Sequence, residues 1–329
     1  MSLCLVTGGS GFLGLRLSRA LLEQGQAVRV FDLARAPDLD PRAEFFSGDV
    51  RRGEQLIAAA QGAEMVFHLV GLMPQARASD ELMQAVNVEG TRNALEAAVA
   101  AKARRFVFLS SMEVYGFPEH SPFAEDHPLR PIGTYGRNKV EAEALCLQYG
   151  KEHGLETVSL RPSTLVGPGI NEPTFIMLLK QLRNPPPLMP LPGGGRSRFQ
   201  MTAVSDCVEA CLLAAERPGV AGEAFNIGAE DTLSMRDQVA ALFDRLGKPR
   251  PRLFSIPSGL AKKLLLLLYR LGLSKLEPDH FNLMDTEMVM DGGKAKRLLG
   301  FSPRQTNLDM ILESYDFMVK EMQKEKRDG

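Results

Sequence analysis

Apolar and polar positions alternate in a regular way through the first half of the chain. The run Leu3-Cys4-Leu5-Val6 leads into Thr7-Gly8-Gly9-Ser10-Gly11-Phe12-Leu13-Gly14. An amphipathic pattern follows at once, with Leu15, Leu17, Leu21 and Leu22 set against Arg16, Arg19 and Glu23. This reads as strand, glycine turn, helix. Ala27-Val28-Arg29-Val30-Phe31-Asp32 is the next strand and closes on an acid. Short strands follow at Ala43–Phe46, ahead of Gly48-Asp49-Val50, and at Met65–Val70. A helix is predicted from Glu81 to Ala101, a strand at Arg105–Leu109, a long helix opening at Tyr135 and a strand at Thr157–Arg161. Strands alternating with helices predict a doubly wound parallel α/β sheet.

Past Gly169 the alternation weakens. Asn184-Pro185-Pro186-Pro187 and Pro190-Leu191-Pro192-Gly193-Gly194-Gly195 read as breakers. A helix is expected over 205–216, a strand over 224–227, and a further helix capped by Ser234 and running to Leu246. The predicted division is a dinucleotide-binding domain over 1–168, with 201–228 returning to it, and a smaller, mostly helical lobe over 169–329 that binds substrate. The five leucines Leu264 to Leu268 read as a helix buried in that lobe, with a greasy substrate wall or a membrane foot as the other readings.

Composition narrows the function. The 329 residues are 44% hydrophobic and 24% charged, as expected of a soluble globular chain. A net charge of -1 gives no long-range attraction to nucleic acid, so no nucleic-acid partner is expected. No apolar run has the length of a membrane span. The first strand begins almost at Met1, which leaves no signal peptide and makes the cytoplasm the expected compartment. The cysteines Cys4, Cys146, Cys207 and Cys211 form no CxxC pair. Cys207 and Cys211 share a helix face, but two ligands without a third make no metal site, and none is expected.

Two groups of residues carry chemistry. In the opening turn, Gly8, Gly11 and Gly14 let backbone approach a ligand, and the helix behind offers free N–H groups to a pyrophosphate. Asp32, at the end of the following strand, is placed to accept hydrogen bonds from an adenosine ribose. The second group is Ser111, on the loop after a strand, with Tyr135 and Lys139 four apart on one helix face. A free phenol has a pKa of ~10 and is a poor base at neutral pH. An adjacent ammonium favours the phenolate, so Lys139 would bring Tyr135 toward working range. Ser111 would hold the substrate oxygen. The set suits removal of an alcohol proton while hydride leaves its carbon for a nicotinamide.

These residues make the chain resemble an extended short-chain dehydrogenase/reductase, the group that includes nucleotide-sugar epimerases and dehydratases and 3β-hydroxysteroid dehydrogenases. The resemblance is carried by Thr7 to Gly14, Asp32, Gly48-Asp49-Val50, Asn87-Val88-Glu89-Gly90-Thr91, Ser110 to Gly116, Tyr135 to Lys139, and Arg161-Pro162 with Gly167-Pro168-Gly169. Weaker echoes continue through Val204-Ser205-Asp206, Phe225-Asn226-Ile227-Gly228 and Lys294-Ala295 with Leu299-Gly300. It implies a Rossmann fold, a catalytic set of Ser111, Tyr135 and Lys139, and an NAD site. That site would comprise Gly8, Ser10, Gly11, Phe12, Leu13, Gly14, Asp32, Asp49, Val50, Leu69 and Pro162, shared with Tyr135 and Lys139. An acid at Asp32 repels a 2′-phosphate and favours NAD over NADP, while Arg35 nearby keeps NADP open. A homodimer through the helix over 81–101 and the helix from Tyr135 is also implied.

The substrate divides the family. Its nucleotide-sugar enzymes carry an Asn where Thr164 stands, and an Arg that Arg198 matches one residue out of register. Arg161 to Val166 looks like the steroid-dehydrogenase side. Glu113 stands where dehydratases and decarboxylases place an acid, although Met112 replaces the Asp that a dehydratase needs. A loop carboxylate satisfied by backbone or by an arginine such as Arg161 is the plainer role for Glu113. The leading reading is an NAD-dependent nucleotide-sugar epimerase passing through a keto intermediate. The alternatives are a net dehydrogenase/reductase of a steroid-like or other apolar alcohol or ketone, a nucleotide-sugar decarboxylase, and a non-enzymatic cofactor-binding protein.

Overall fold

The computed structural model describes residues 2–73, 76, 78–272 and 285–328, with side chains as far as Lys324. Seven parallel strands form its centre: β1 (Leu3–Thr7), β2 (Ala27–Asp32), β3 (Glu44–Ser47), β4 (Ala63–His68), β5 (Arg105–Leu109), β6 (Glu156–Pro162) and β10 (Ala224–Ile227). Their spatial order is β10-β6-β5-β4-β1-β2-β3. The order reverses between β1 and β4, the place where an open α/β sheet receives a ligand at its carboxyl edge. Both faces of such a sheet must be covered, which is why these strands read as near-continuous apolar runs.

The helices α1 (Phe12–Glu23) and α7 (Val204–Glu216) cover one face. Leu13, Leu17 and Leu21 pack there with Cys207, Cys211 and Phe225, so both cysteines are small core hydrophobes. The other face is covered by α2 (Gly53–Ala60), α4 (Gly90–Ala100) and α5 (Thr134–His153), through Leu56, Leu95, Ala142 and Cys146. β10 lies in register against β6, pairing Phe225 with Leu160 and Ile227 with Pro162.

The helix expected over 81–101 is broken into two. A short α3 (Asp80–Gln84) meets α4 through a π-helical turn at Ala85–Glu89. Asn87, in that turn, clamps the backbone of Leu72 by accepting from its N–H at 2.6 Å and donating to its carbonyl at 3.0 Å. The π-turn thus carries a side chain that ties this helix to the loop after β4 through both backbone groups of Leu72.

Small strands β7 (Thr164–Val166) and β9 (Met201–Ala203) pair beside the main sheet. A second core forms among α6 (Pro173–Arg183), α8 (Met235–Arg245) and α10 (Asn307–Asp328), through Phe175, Leu179, Leu242, Phe243 and Ile311. Part of the second breaker cluster is in fact a strand. β8 (Leu188–Pro192) pairs in parallel with β11 (Arg252–Ile256) in a two-stranded sheet, where both strands are edges and proline costs no shared hydrogen bond. The leucine run also departs from expectation. It lies on α9 (Ser258–Arg270), whose one buried residue is Ala261, so this helix is not interior.

Candidate active site

The opening turn is shaped by space as much as by torsion. Gly8 has φ +75°, and a Cβ on Gly14 would stand 2.2 Å from the Gly8 carbonyl oxygen. A side chain there would force strand and helix apart, so the close packing of β1 against α1 requires glycine. Gly9 escaped the sequence reading. Its Cβ would lie 2.6 Å from the Val30 side chain, a constraint visible only once β2 is in place. Gly11 caps α1 in extended conformation, Leu13 is buried in the core, and the Phe12 ring carries the Arg16 guanidinium 4.4 Å from its centroid.

Asp32 ties the turn to β2. Its carboxylate accepts from the Ser10 N–H at 3.0 Å and from the Leu33 N–H at 2.8 Å. The Ser10 hydroxyl accepts from the Ala36 N–H at 3.2 Å. Asp49 pairs with Arg51 at 2.5 Å, and that hydrogen bond, together with Arg51's charge, holds its carboxyl below the usual range against partial burial. Val50 is buried, and a Cβ on Gly90 would come within 2.8 Å of it. Across the crevice the Leu69 N–H donates to the Thr7 carbonyl at 3.1 Å. Pro162 ends β6 in a buried position. A crevice floored by glycines, backed by a helix N-terminus and flanked by Asp32 fits a dinucleotide.

Ser111, Tyr135 and Lys139 come together. Ser111 caps a short 3₁₀ turn at Met112–Val114, accepting from the Glu113 N–H at 3.2 Å. Its hydroxyl also acts on the Tyr135 phenol, favouring the ionised form. Tyr135 and Lys139 lie in the first two turns of α5, with the ammonium 5.6 Å from the phenol ring centroid. The Lys139 ammonium donates to the Leu109 carbonyl at 2.7 Å. A Cβ on Gly71 would lie 3.3 Å from that nitrogen, which places the lysine against the crevice.

The electrostatics differ from the sequence expectation. Burial pushes the Tyr135 phenol above its ordinary range, the Glu113 carboxylate pushes it further, and the Ser111 hydrogen bond opposes both. Burial lowers Lys139 to about 8, against the pull of Glu143 and Glu113. Desolvation thus dominates the phenol, which is held above its ordinary range rather than brought down toward neutrality. Glu113 acts on this pair, whereas Arg161 turns elsewhere. Its guanidinium donates to Glu143 at 2.9 and 2.6 Å and to the Tyr115 hydroxyl at 2.7 Å. Tyr115 in turn donates to Asn226 at 2.6 Å, and Ser110 donates to Glu143 at 2.5 Å. None of these partners was foreseen, because they come from segments far apart in sequence.

Thr164 is exposed at the start of β7. Arg198 is ion-paired with Glu287. His68, another unforeseen residue, is fully buried at the end of β4 between the hydroxyls of Thr7 at 2.7 Å and Thr91 at 3.1 Å. Thr91 spends its own proton on the Asn87 carbonyl at 2.7 Å, so His68 donates from Nε2 and accepts at Nδ1.

Fold and site together define a dinucleotide-dependent oxidoreductase of the Rossmann class. Residues 4–228 match the NAD dependent epimerase/dehydratase family, and the chain belongs to that family. It is an NAD-dependent enzyme of the short-chain dehydrogenase/reductase type. Over 95% of its length it is 34% identical to an uncharacterized protein of Sinorhizobium fredii, covering 78% of that protein. It is 30% identical to the 3 beta-hydroxysteroid dehydrogenase/Delta 5→4-isomerase of Mycobacterium tuberculosis, over 99% of this chain and 92% of that one. Among solved structures it is similar to a UDP-galactose 4-epimerase, with 26% identity, a TM-score of 0.76 and coverage of 97% of this chain and 99% of that one.

Proposed function

We propose that the protein is an NAD-dependent dehydrogenase/reductase of a secondary alcohol or ketone on an apolar, steroid-like molecule. The observation that carries this reading is the engagement of Arg198 by Glu287. A nucleotide diphosphate is held best by an unpaired cation at that place, and here it would have to displace Glu287 from the arginine. Thr164, where sugar-nucleotide enzymes of the family place an Asn, points the same way. The similarity to the mycobacterial steroid dehydrogenase spans nearly the whole of both chains.

In this reading residues 1–168 with 201–228 hold the cofactor, and the rest of the chain holds substrate. Asp32 receives the adenosine ribose, Asp49 and Val50 border the adenine, and the Gly8–Gly14 turn cradles the pyrophosphate. Leu69 and Pro162 line the nicotinamide end. Bound NAD supplies a hydride acceptor, or in its reduced form a donor. Ser111 holds the substrate oxygen by hydrogen bond. Tyr135 takes the hydroxyl proton in oxidation and returns it in reduction. Lys139 supplies the positive charge that favours the phenolate and binds the nicotinamide ribose.

The similarity to a UDP-galactose 4-epimerase supports a second reading, an epimerase that ends each turnover with NAD restored. Incubating purified protein with NAD and either sterol alcohols or UDP-sugars separates the two. The first reading expects absorbance of reduced nicotinamide to grow in proportion to oxidised sterol. Interconversion of UDP-sugars with no net cofactor change would overturn it in favour of the second.

A further inference from the structure

From Arg245 to Gly272 the chain contains no Asp or Glu, yet carries Lys248, Arg250, Arg252, Lys262, Lys263 and Arg270. In a protein of net charge -1 this is a concentrated basic segment. Within it, α9 and its C-cap residue present Leu260, Leu264, Leu267 and Leu271 at 60%, 51%, 53% and 62% exposure. Their spacing of four, three and four residues puts them on a single helix face. Phe254 on β11 and Leu188, on the paired strand β8, are also exposed. Leucines at this density on a surface mark a contact face.

We propose that α9 is an interfacial anchor that lays its leucine stripe into the surface of an anionic lipid bilayer. Three observations select this occupant. The helix is too short to cross: thirteen residues rise ~20 Å against a hydrocarbon core of ~30 Å, and no described helix is long and apolar enough to span. Lys263 and Arg270, beside the stripe, make no ion pair among the described residues, and such cations are attracted to anionic headgroups. A second copy of the chain is disfavoured by the same charges. Lys262 is already answered by Asp285, so a two-fold contact through this face would set the remaining cations, Lys263 and Arg270, against their own copies. A bilayer also demands no matching shape, which suits a stripe of near-identical side chains.

The test is flotation of the full-length protein with vesicles of phosphatidylcholine alone or with one-third phosphatidylglycerol, at low and high salt. The protein should float with the anionic vesicles and be released by salt. Leu264→Ser with Leu267→Ser should weaken binding at least about tenfold, since each removes a buried apolar side chain. Lys263→Glu with Arg270→Glu, which leaves the leucines intact, should weaken it by about fivefold or more per site. Both variants should keep the wild-type NAD-induced rise in melting temperature, showing that the fold is intact. Failure of the wild type to float, or equal flotation with neutral vesicles, would overturn the proposal. So would a leucine variant that turns a dimer into a monomer while binding vesicles as before, because the face would then be an interface between copies.

Discussion

Arg161 and Glu143 face each other in the interior through two hydrogen bonds of 2.9 and 2.6 Å, with side chains 6% and 7% exposed. Burial works against the arginine's charge, and the Glu143 carboxylate more than offsets it, so the guanidinium is held charged. Glu143 lies one helical turn beyond Lys139 and also receives the Ser110 hydroxyl, next to Ser111. Removing one partner of a buried pair leaves the other charge uncompensated, which costs about 3–5 kcal/mol. Arg161→Met should therefore lower the unfolding free energy by that amount and shift the denaturant midpoint down in proportion. Restoring stability with Glu143→Leu in the same chain would show that the stranded carboxylate causes the loss.

Tyr135→Phe should reduce turnover by about 10²–10⁴-fold, the usual share of a positioned acid–base group. The shape of the site is otherwise kept, so the NAD-induced thermal shift should persist. Retained turnover in this variant would remove the phenol from the chemistry.

Glu113→Gln should move the pH profile of alcohol oxidation. The Glu113 carboxylate raises the Tyr135 phenol, and oxidation needs the phenolate, so rate climbs as pH rises through the tyrosine's pKa. Neutralising Glu113 lowers that pKa, and the climb should begin at lower pH. A profile that stays in place or moves to higher pH would contradict this placement.

Stability should depend on two buried bases. Burial, then the charge of Lys139, lowers His68 to about 3, while in the unfolded chain it titrates near ~6.5. The unfolded state therefore binds more protons between these values, and stability falls as pH drops through the window. From pH 7 to pH 5 the loss attributable to His68 is up to about 2 kcal/mol, and His68→Gln should abolish it in denaturant titrations. Lys139 is lowered to about 8, so the penalty for burying its charge is full below that pH. Stability should recover as pH rises from there toward the ~10.4 of a free lysine.

Gly14→Ala should abolish the NAD-induced thermal shift and lower the melting temperature, because its Cβ would meet backbone at 2.2 and 2.5 Å. Gly259→Ala in α9, where nothing lies within 4 Å of an added Cβ, should be neutral or raise stability by about 0.5–1 kcal/mol. Equal effects would show that the turn tolerates a side chain.

What was legible in the sequence was local. The strand, glycine turn and helix at Leu3 to Glu23, the acid ending β2 and the four-residue spacing of Tyr135 and Lys139 all follow from periodicity and turn chemistry within one segment. What tertiary structure alone decided were meetings between distant segments. Gly9 is constrained by Val30, the helix over 81–101 is interrupted where Asn87 clamps Leu72, and Arg161 pairs with Glu143 rather than serving Glu113. The sign of the Tyr135 shift belongs here too, because desolvation depends on everything packed around a group. So does the fate of the leucine run: hydrophobicity states that a side chain avoids water, and only the packing of the rest of the chain shows whether the protein itself provides the shelter.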